Sequence, residues 1–371
     1  MTIIALFFSF LSRFLLRYRA KRERVSKLEK QGKRLIVHAG RHKTGSSAIQ
    51  QSLFSQLDHP EFDYLNVGEA NASLIINRSF RQESILANTP TEHKPHKKIA
   101  LEKAFERLRC AVDSAIKPNI ILSAESVSLM EEQEFQQFLS FFSDYFEEIE
   151  LHAYFRPPKS DMESAFAQRL KHGFASCSEK VTFMHKRRFE MFEKHLGRSS
   201  LHYYRYDRTD FPSKDVVAHF CQKVGLSPSL PPMRLANTRL SLPSVQLLYM
   251  YRKYYPEISV LDSGLIRALG CLSGPAFRYH SSLFLKNYED PVDSFQWLEQ
   301  RSGKSFHEDV RRDDVLGITG ERDLLDLTEI AQSWLAEHLE MPPLKLLSGS
   351  SAVKRIADGL RFFAEQQRCR R

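Results

Sequence analysis

Leu35-Ile36-Val37-His38-Ala39-Gly40-Arg41-His42-Lys43-Thr44-Gly45-Ser46-Ser47-Ala48-Ile49-Gln50 reads as strand, tight loop and helix. Leu35 to Val37 is a short apolar run rich in β-branched residues, suited to a strand buried on both faces. Gly40 and Gly45 bracket a loop whose backbone can turn sharply and come close to a ligand. From Ser46 the period becomes helical, with Ile49, Leu53 and Leu57 at spacing four on one face. A helix starting there turns free N–H groups and its positive dipole end toward the loop. Lys43 adds a charge, and Thr44, Ser46 and Ser47 add hydroxyl donors. These elements predict an anion cradle suited to phosphate.

Further buried strands are expected at 119–124, ending at Glu125, and at 149–155, where Ile149, Leu151, Ala153 and Phe155 alternate. A fourth is expected at 201–207, and Tyr64 to Val67 reads as a short extended piece. The stripe Phe135, Phe138, Leu139, Phe142 between them reads as core. The second long strand ends at Arg156, followed by Pro157-Pro158. Ser160-x-x-Glu163 reads as a capping box opening a helix. On that helix Ser164, Gln168 and Lys171 form a polar face, so Arg156 and Ser164 are expected to converge on one anion. A later helix is expected from a Ser213 cap to Gly225. Strands alternating with helices imply an α/β fold, a three-layer α/β/α sandwich around a central parallel sheet. Ligands of such sheets sit at the carboxyl ends of strands, where the 40–47 loop, Glu125 and Arg156 should meet.

The glycine spacing matches that of a Walker A loop, but Ser46-Ser47 stands where Lys-Ser/Thr should follow, and the lysine precedes the second glycine. His-x-Gly-x-x-Lys-Thr-Gly-Ser-Ser resembles the 5′-phosphosulfate loop of sulfotransferases, most closely the bacterial glycan-type branch, which commonly has two threonines at the Ser46 and Ser47 positions. Arg-Pro-Pro-x-Ser-Asp-x-x-x-Ser is similar to the family's 3′-phosphate motif, an arginine ending a strand with a serine eight residues on, here Arg156 and Ser164. The resemblance covers about residues 34–240. It implies transfer of a sulfuryl group from 3′-phosphoadenosine 5′-phosphosulfate to a hydroxyl or amine, with a glycan as the expected acceptor. Arg41, His42, Lys43, Thr44, Gly45, Ser46, Ser47, Arg156 and Ser164 would hold the donor. Lys43 would also act in catalysis, with Glu125 as base and Glu69 as its competitor. No metal is required by this chemistry, and no acidic ligand cluster is visible in the sequence. A P-loop kinase is the alternative, opposed by the missing Gly-Lys-Ser/Thr order and a missing strand-end aspartate for Mg²⁺.

Composition narrows the class further. The formal charge of +9 favours acidic partners. With no recognition helix and no aromatic-plus-basic RNA motif, nucleic acid is not an expected partner. Five scattered cysteines without Cys-x-x-Cys argue for a reducing compartment and against a zinc site. His93 and His96 lie at a metal-compatible spacing but in a basic, proline-containing stretch, 89–98, read as a solvated loop. A helix is expected from Ile99 to Ile116.

Residues 1–33 form an amphipathic, basic segment. Its apolar part, 3–16, would reach about 21 Å as a helix, short of the roughly 30 Å hydrocarbon core. With the arginines that follow, it reads as an interfacial helix on anionic lipid, with a short anchor as a second possibility. The expected location is cytoplasmic, peripheral to the inner face of the membrane. A non-enzymatic membrane adaptor is the third functional reading. Residues 34–240 read as the donor-binding domain and 241–371 as a mainly helical extension. Its last part, 353–371, is a basic amphipathic stretch suited either to the domain or to lipid.

Overall fold

The computed structural model describes residues 32–40, 43–227, 240–339 and 350–369. The N-terminal segment, Arg41, His42 and the stretch 228–239 fall outside them. Five parallel strands form the central sheet: β1 Arg34–His38, β2 Phe62–Tyr64, β3 Asn119–Ser123, β4 Glu148–Phe155 and β6 Leu201–Arg205, in the order β2-β3-β1-β4-β6. A two-residue strand β5, Val181–Thr182, pairs separately with β7, Tyr288–Glu289. The second strand begins at Phe62 rather than Tyr64, and the last ends two residues early, at Arg205.

Helices flank the sheet on both faces because the strands bury both faces. Leu35, Val37, Ile120, Leu122, Leu151 and Ala153 belong to one apolar cluster, whereas Ile36, Ile121 and Tyr154 belong to another. Alternation across the pleat produces this division. On the first face, Phe135, Phe138 and Phe142 of the helix Glu132–Ser143 are fully buried, and Phe80 packs edge-on to Phe138. Burying each such ring contributes about 1.5–3 kcal/mol. The second face is covered by the helices Ser46–Gln56 and Val216–Val224.

Several helix starts differ from expectation. The helix Lys94–Asp113 begins inside the stretch read as a loop, since a proline in the first turn costs no helical hydrogen bond. Asp215, not Ser213, caps the helix Val216–Val224 by accepting from the N–H groups of Val217 and Ala218. No capping box forms at Ser160. The helix Pro158–Lys171 starts two residues earlier, with proline at its first position, and buries Glu163, which accepts from the Tyr279 N–H at 3.0 Å.

The C-terminal helices pack against the rest of the chain. Arg252, fully buried, donates to the carbonyls of Leu170 and Lys171 and pairs with Asp262 at 2.9 Å. In the last helix, Ser350–Cys369, Ile356, Leu360 and Phe363 are buried in the common core, so this amphipathic stretch packs on protein. Among the described residues, no helix is long and apolar enough to cross a membrane.

Candidate functional site

The strand order puts β1 between β3 and β4, so three consecutive carboxyl ends lie side by side. From them come Lys43, in the loop after β1, Glu125, two residues beyond β3, and Arg156, immediately after β4. The chain leaves β1 toward β2 and β3 on one side and reaches β4 and β6 on the other. This makes the end of β1 a topological switch point, where α/β sheets form their ligand crevice.

Two glycines shape the loop. A Cβ on Gly40 would lie 2.4 Å from Ser46 Oγ and 2.7 Å from His38 Nε2, so only glycine lets the strand end and helix start approach this closely. Gly45 has φ +78°, and a Cβ there would lie 2.8 Å from Val216 Cγ1. Lys43 also has positive φ, +66°, a conformation that costs a non-glycine residue free energy. The helix opening at Ser46 has no side-chain cap and no acidic residue in its first turn. Its first intrahelical bonds run from Ala48 and Ile49 to the Gly45 carbonyl, so the N–H groups just before them have no acceptor in the helix.

Arg156 closes the loop from the other side. Its Nε donates to the Lys43 carbonyl at 2.6 Å, and its guanidinium stacks 4.4 Å from the centre of the Tyr206 ring. Tyr206 is the same ring that a Gly45 side chain would meet. The loop, the end of β4 and the end of β6 therefore form one packed unit.

Positive charge is concentrated here. Burial pushes the Lys43 ammonium below its usual pKa, Glu125 works against that shift, and Arg156 adds to it. Lys171, on the helix after β4, is likewise pushed down by burial and then by Lys43. Arg156 and Lys171 each lie within electrostatic reach of Lys43, and such a group of cations favours a bound anion. The sequence had placed Lys171 on the polar face with Ser164 without assigning it to the site. The charge of Lys43 acting on it puts this end of the helix within electrostatic reach of the loop.

Glu125 begins the 3-10 turn Glu125–Leu129 and is half-buried. It acts electrostatically on both Lys43 and His38. Glu69 is also half-buried, but it sits in the turn after β2, and the charges acting on Lys43 come from Glu125 and Arg156. Thr44 and Ser46 are buried and Ser47 is exposed. Ser164 is half-buried on its helix. Arg41 and His42 lie outside the described residues.

His38 opens the loop motif in the sequence, but no role was assigned to it there. It is fully buried at the end of β1, its Nδ1 is 2.7 Å from Ser123 Oγ, and burial holds its pKa down to about 4. Its position between strand and loop glycine was visible, but its burial depended on the packing of the helix Val216–Val224. Phe220 of that helix covers its ring. Comparison of the chain with protein-family models, curated proteins and solved structures returns no match.

Proposed function

We propose that this chain is a sulfotransferase, moving the sulfuryl group of 3′-phosphoadenosine 5′-phosphosulfate to a hydroxyl or amine of an acceptor, with a carbohydrate as the favoured acceptor class. The observation that carries the reading is the contact between Arg156 and the Lys43 carbonyl, which joins two motifs separated by 113 residues. A donor with phosphates at both 5′ and 3′ positions needs two anion sites held at fixed separation. The resemblance assigns one of these to the 40–47 loop and the other to Arg156 and Ser164.

In this reading the loop N–H groups and Lys43 bind the 5′-phosphosulfate and stabilise the charge that grows on the leaving phosphate oxygen. Arg156 and Ser164 fix the donor through its 3′-phosphate, so the sulfur is held in line for attack. Glu125 takes the acceptor proton as the new S–O bond forms and the bond to the phosphate oxygen breaks. No step calls for a metal ion. The phosphosulfate role of the loop belongs to this proposal, as does a location at the inner membrane face through residues 1–33.

The test incubates the protein with radiolabelled donor and a cell-envelope extract, with γ-labelled ATP–Mg²⁺ in a parallel tube. Label transferred from the phosphosulfate donor alone supports the reading. Label transferred from ATP alone replaces it with a kinase.

A further inference from the structure

We propose that Glu150, His152 and His202, on the paired strands β4 and β6, form a binding site for a divalent transition metal of the zinc class. The strand pairing creates the cluster. His152 of β4 and His202 of β6 are register partners, and Glu150 is two residues earlier on the same face of β4. The imidazoles stack with centroids 4.5 Å apart. One donor atom from each of the three residues lies within 4.8 Å of the others. The Glu150 Oε2 to His152 Nε2 distance is 3.2 Å. Tetrahedral zinc bonds of about 2.0–2.1 Å place ligand atoms roughly 3.3–3.4 Å apart, close to the spacing of this hydrogen-bonded pair, and the His202 ring would reorient to complete the set.

Two further features point to a ligand. His202 Nε2 is buried and has no hydrogen-bond partner. An orphaned buried nitrogen costs stability, and metal coordination would satisfy it. On the other side, His152 Nδ1 lies 3.0 Å from the Tyr204 hydroxyl, the outer hydrogen bond that orients a ligating imidazole.

The surrounding charges select the kind of ion. Arg34 Nη1 sits 3.4 Å from Glu150 Oε2, and Arg198 also acts on His202, while Glu148 adds a weaker negative contribution. Arg34 is held in place by Asn119 Oδ1 and the Val224 carbonyl, so it remains nearby when an ion binds. One carboxylate facing an arginine gives little attraction to a hard cation such as Ca²⁺ or Mg²⁺. Two imidazoles suit Zn²⁺, Ni²⁺ or Cu²⁺. The ion would tie the edge strand β6 to β4, with water completing the coordination.

The test titrates the chelator-stripped full chain with Zn²⁺ against a chromophoric chelator, for wild type, His202→Ala and Glu150→Gln. Circular dichroism and Tm in chelator establish that each variant is folded. The expected result is one Zn²⁺ per chain with micromolar or tighter affinity, weakened tenfold or more by either substitution. Added Zn²⁺ should raise the Tm of the wild type but not of folded His202→Ala. Wild-type affinity in both folded variants, or no stoichiometric Zn²⁺ binding by the wild type, would overturn the site. Should His202→Ala fail to fold, the comparison with Glu150→Gln decides in the same way.

Discussion

The guanidinium of Arg156 donates through Nε to the backbone carbonyl of Lys43, so the residue ending β4 braces the loop leaving β1. Lys43 is held there at positive φ, and this hydrogen bond helps to maintain the strained conformation. Arg156→Lys keeps the charge but loses the planar fork that donates to the carbonyl and stacks on Tyr206. Its affinity for adenosine 3′,5′-bisphosphate should fall about tenfold or more, an effect of about 1.4 kcal/mol. Isothermal titration against the wild type measures this. Unchanged affinity would remove Arg156 from the binding site.

Lys43→Ala should leave the fold intact, because the side chain is only half-buried on a surface loop. Turnover should drop about a hundredfold or more, as for the loss of other electrostatic donors that act on developing charge. Single-turnover rates on labelled donor, read beside circular dichroism, check this expectation. A folded variant within a few-fold of wild type would contradict the role.

Gly40→Ala and Gly45→Ala separate two kinds of constraint. At Gly45 the new Cβ meets both a left-handed φ and Val216, so stability should fall by more than about 1 kcal/mol. At Gly40 no left-handed φ is involved, but the Cβ would push Ser46 and His38 apart. Bisphosphate affinity should therefore suffer in both, with the larger loss of Tm at Gly45. Thermal melts with and without the bisphosphate read both effects.

Glu125→Gln and Glu69→Gln test the base. Glu125 is expected to carry the role because it begins at the end of β3 and shares an electrostatic environment with Lys43. Glu125→Gln should retain donor affinity and lose roughly 10²–10⁴ in the chemical step. A near-normal rate in Glu125→Gln with a collapse in Glu69→Gln would transfer the role.

Glu308 gives a pH dependence of stability. Its carboxylate accepts from the N–H groups of Lys159 and Ser160 at the start of the helix after β4. Burial nevertheless raises its pKa from 4.5 to about 7. The folded state then holds the proton more tightly than the unfolded state. Its contribution to stability is greatest below pH 4.5 and declines as pH rises toward 7. Glu308→Gln should flatten this part of the Tm profile between pH 4.5 and 8. A profile unchanged by the substitution would show that Glu308 titrates normally.

The parts of the fold legible in sequence were those set by local pattern. The apolar runs at 35–37, 120–122 and 149–155 gave the three central strands, and the aromatic stripe at 135–142 gave a core helix. What failed depended on partners remote in the chain. Ser160 and Glu163 have capping-box spacing, yet Glu163 is drawn into the interior by the Tyr279 N–H. Lys171 joins the cations around Lys43 only because its helix packs along the sheet. The neighbours His152 and His202 are brought together by strand register, which no spacing within either strand reveals. For the candidate site, the loop glycines and Arg156 were visible as motifs, whereas the hydrogen bond joining them required the strand order.

Equilibrium titration with adenosine 3′,5′-bisphosphate, adenosine 5′-phosphosulfate and ATP–Mg²⁺ tests most directly that the loop and Arg156 form one double-anion site. The expected result is binding of the bisphosphate, weaker binding of the ligand lacking a 3′-phosphate, and no competition from ATP–Mg²⁺. Replacing Arg156 by alanine should remove most of the difference between the first two. ATP–Mg²⁺ binding as tightly as the bisphosphate, or a bisphosphate affinity indifferent to both Lys43→Ala and Arg156→Ala, would contradict the account.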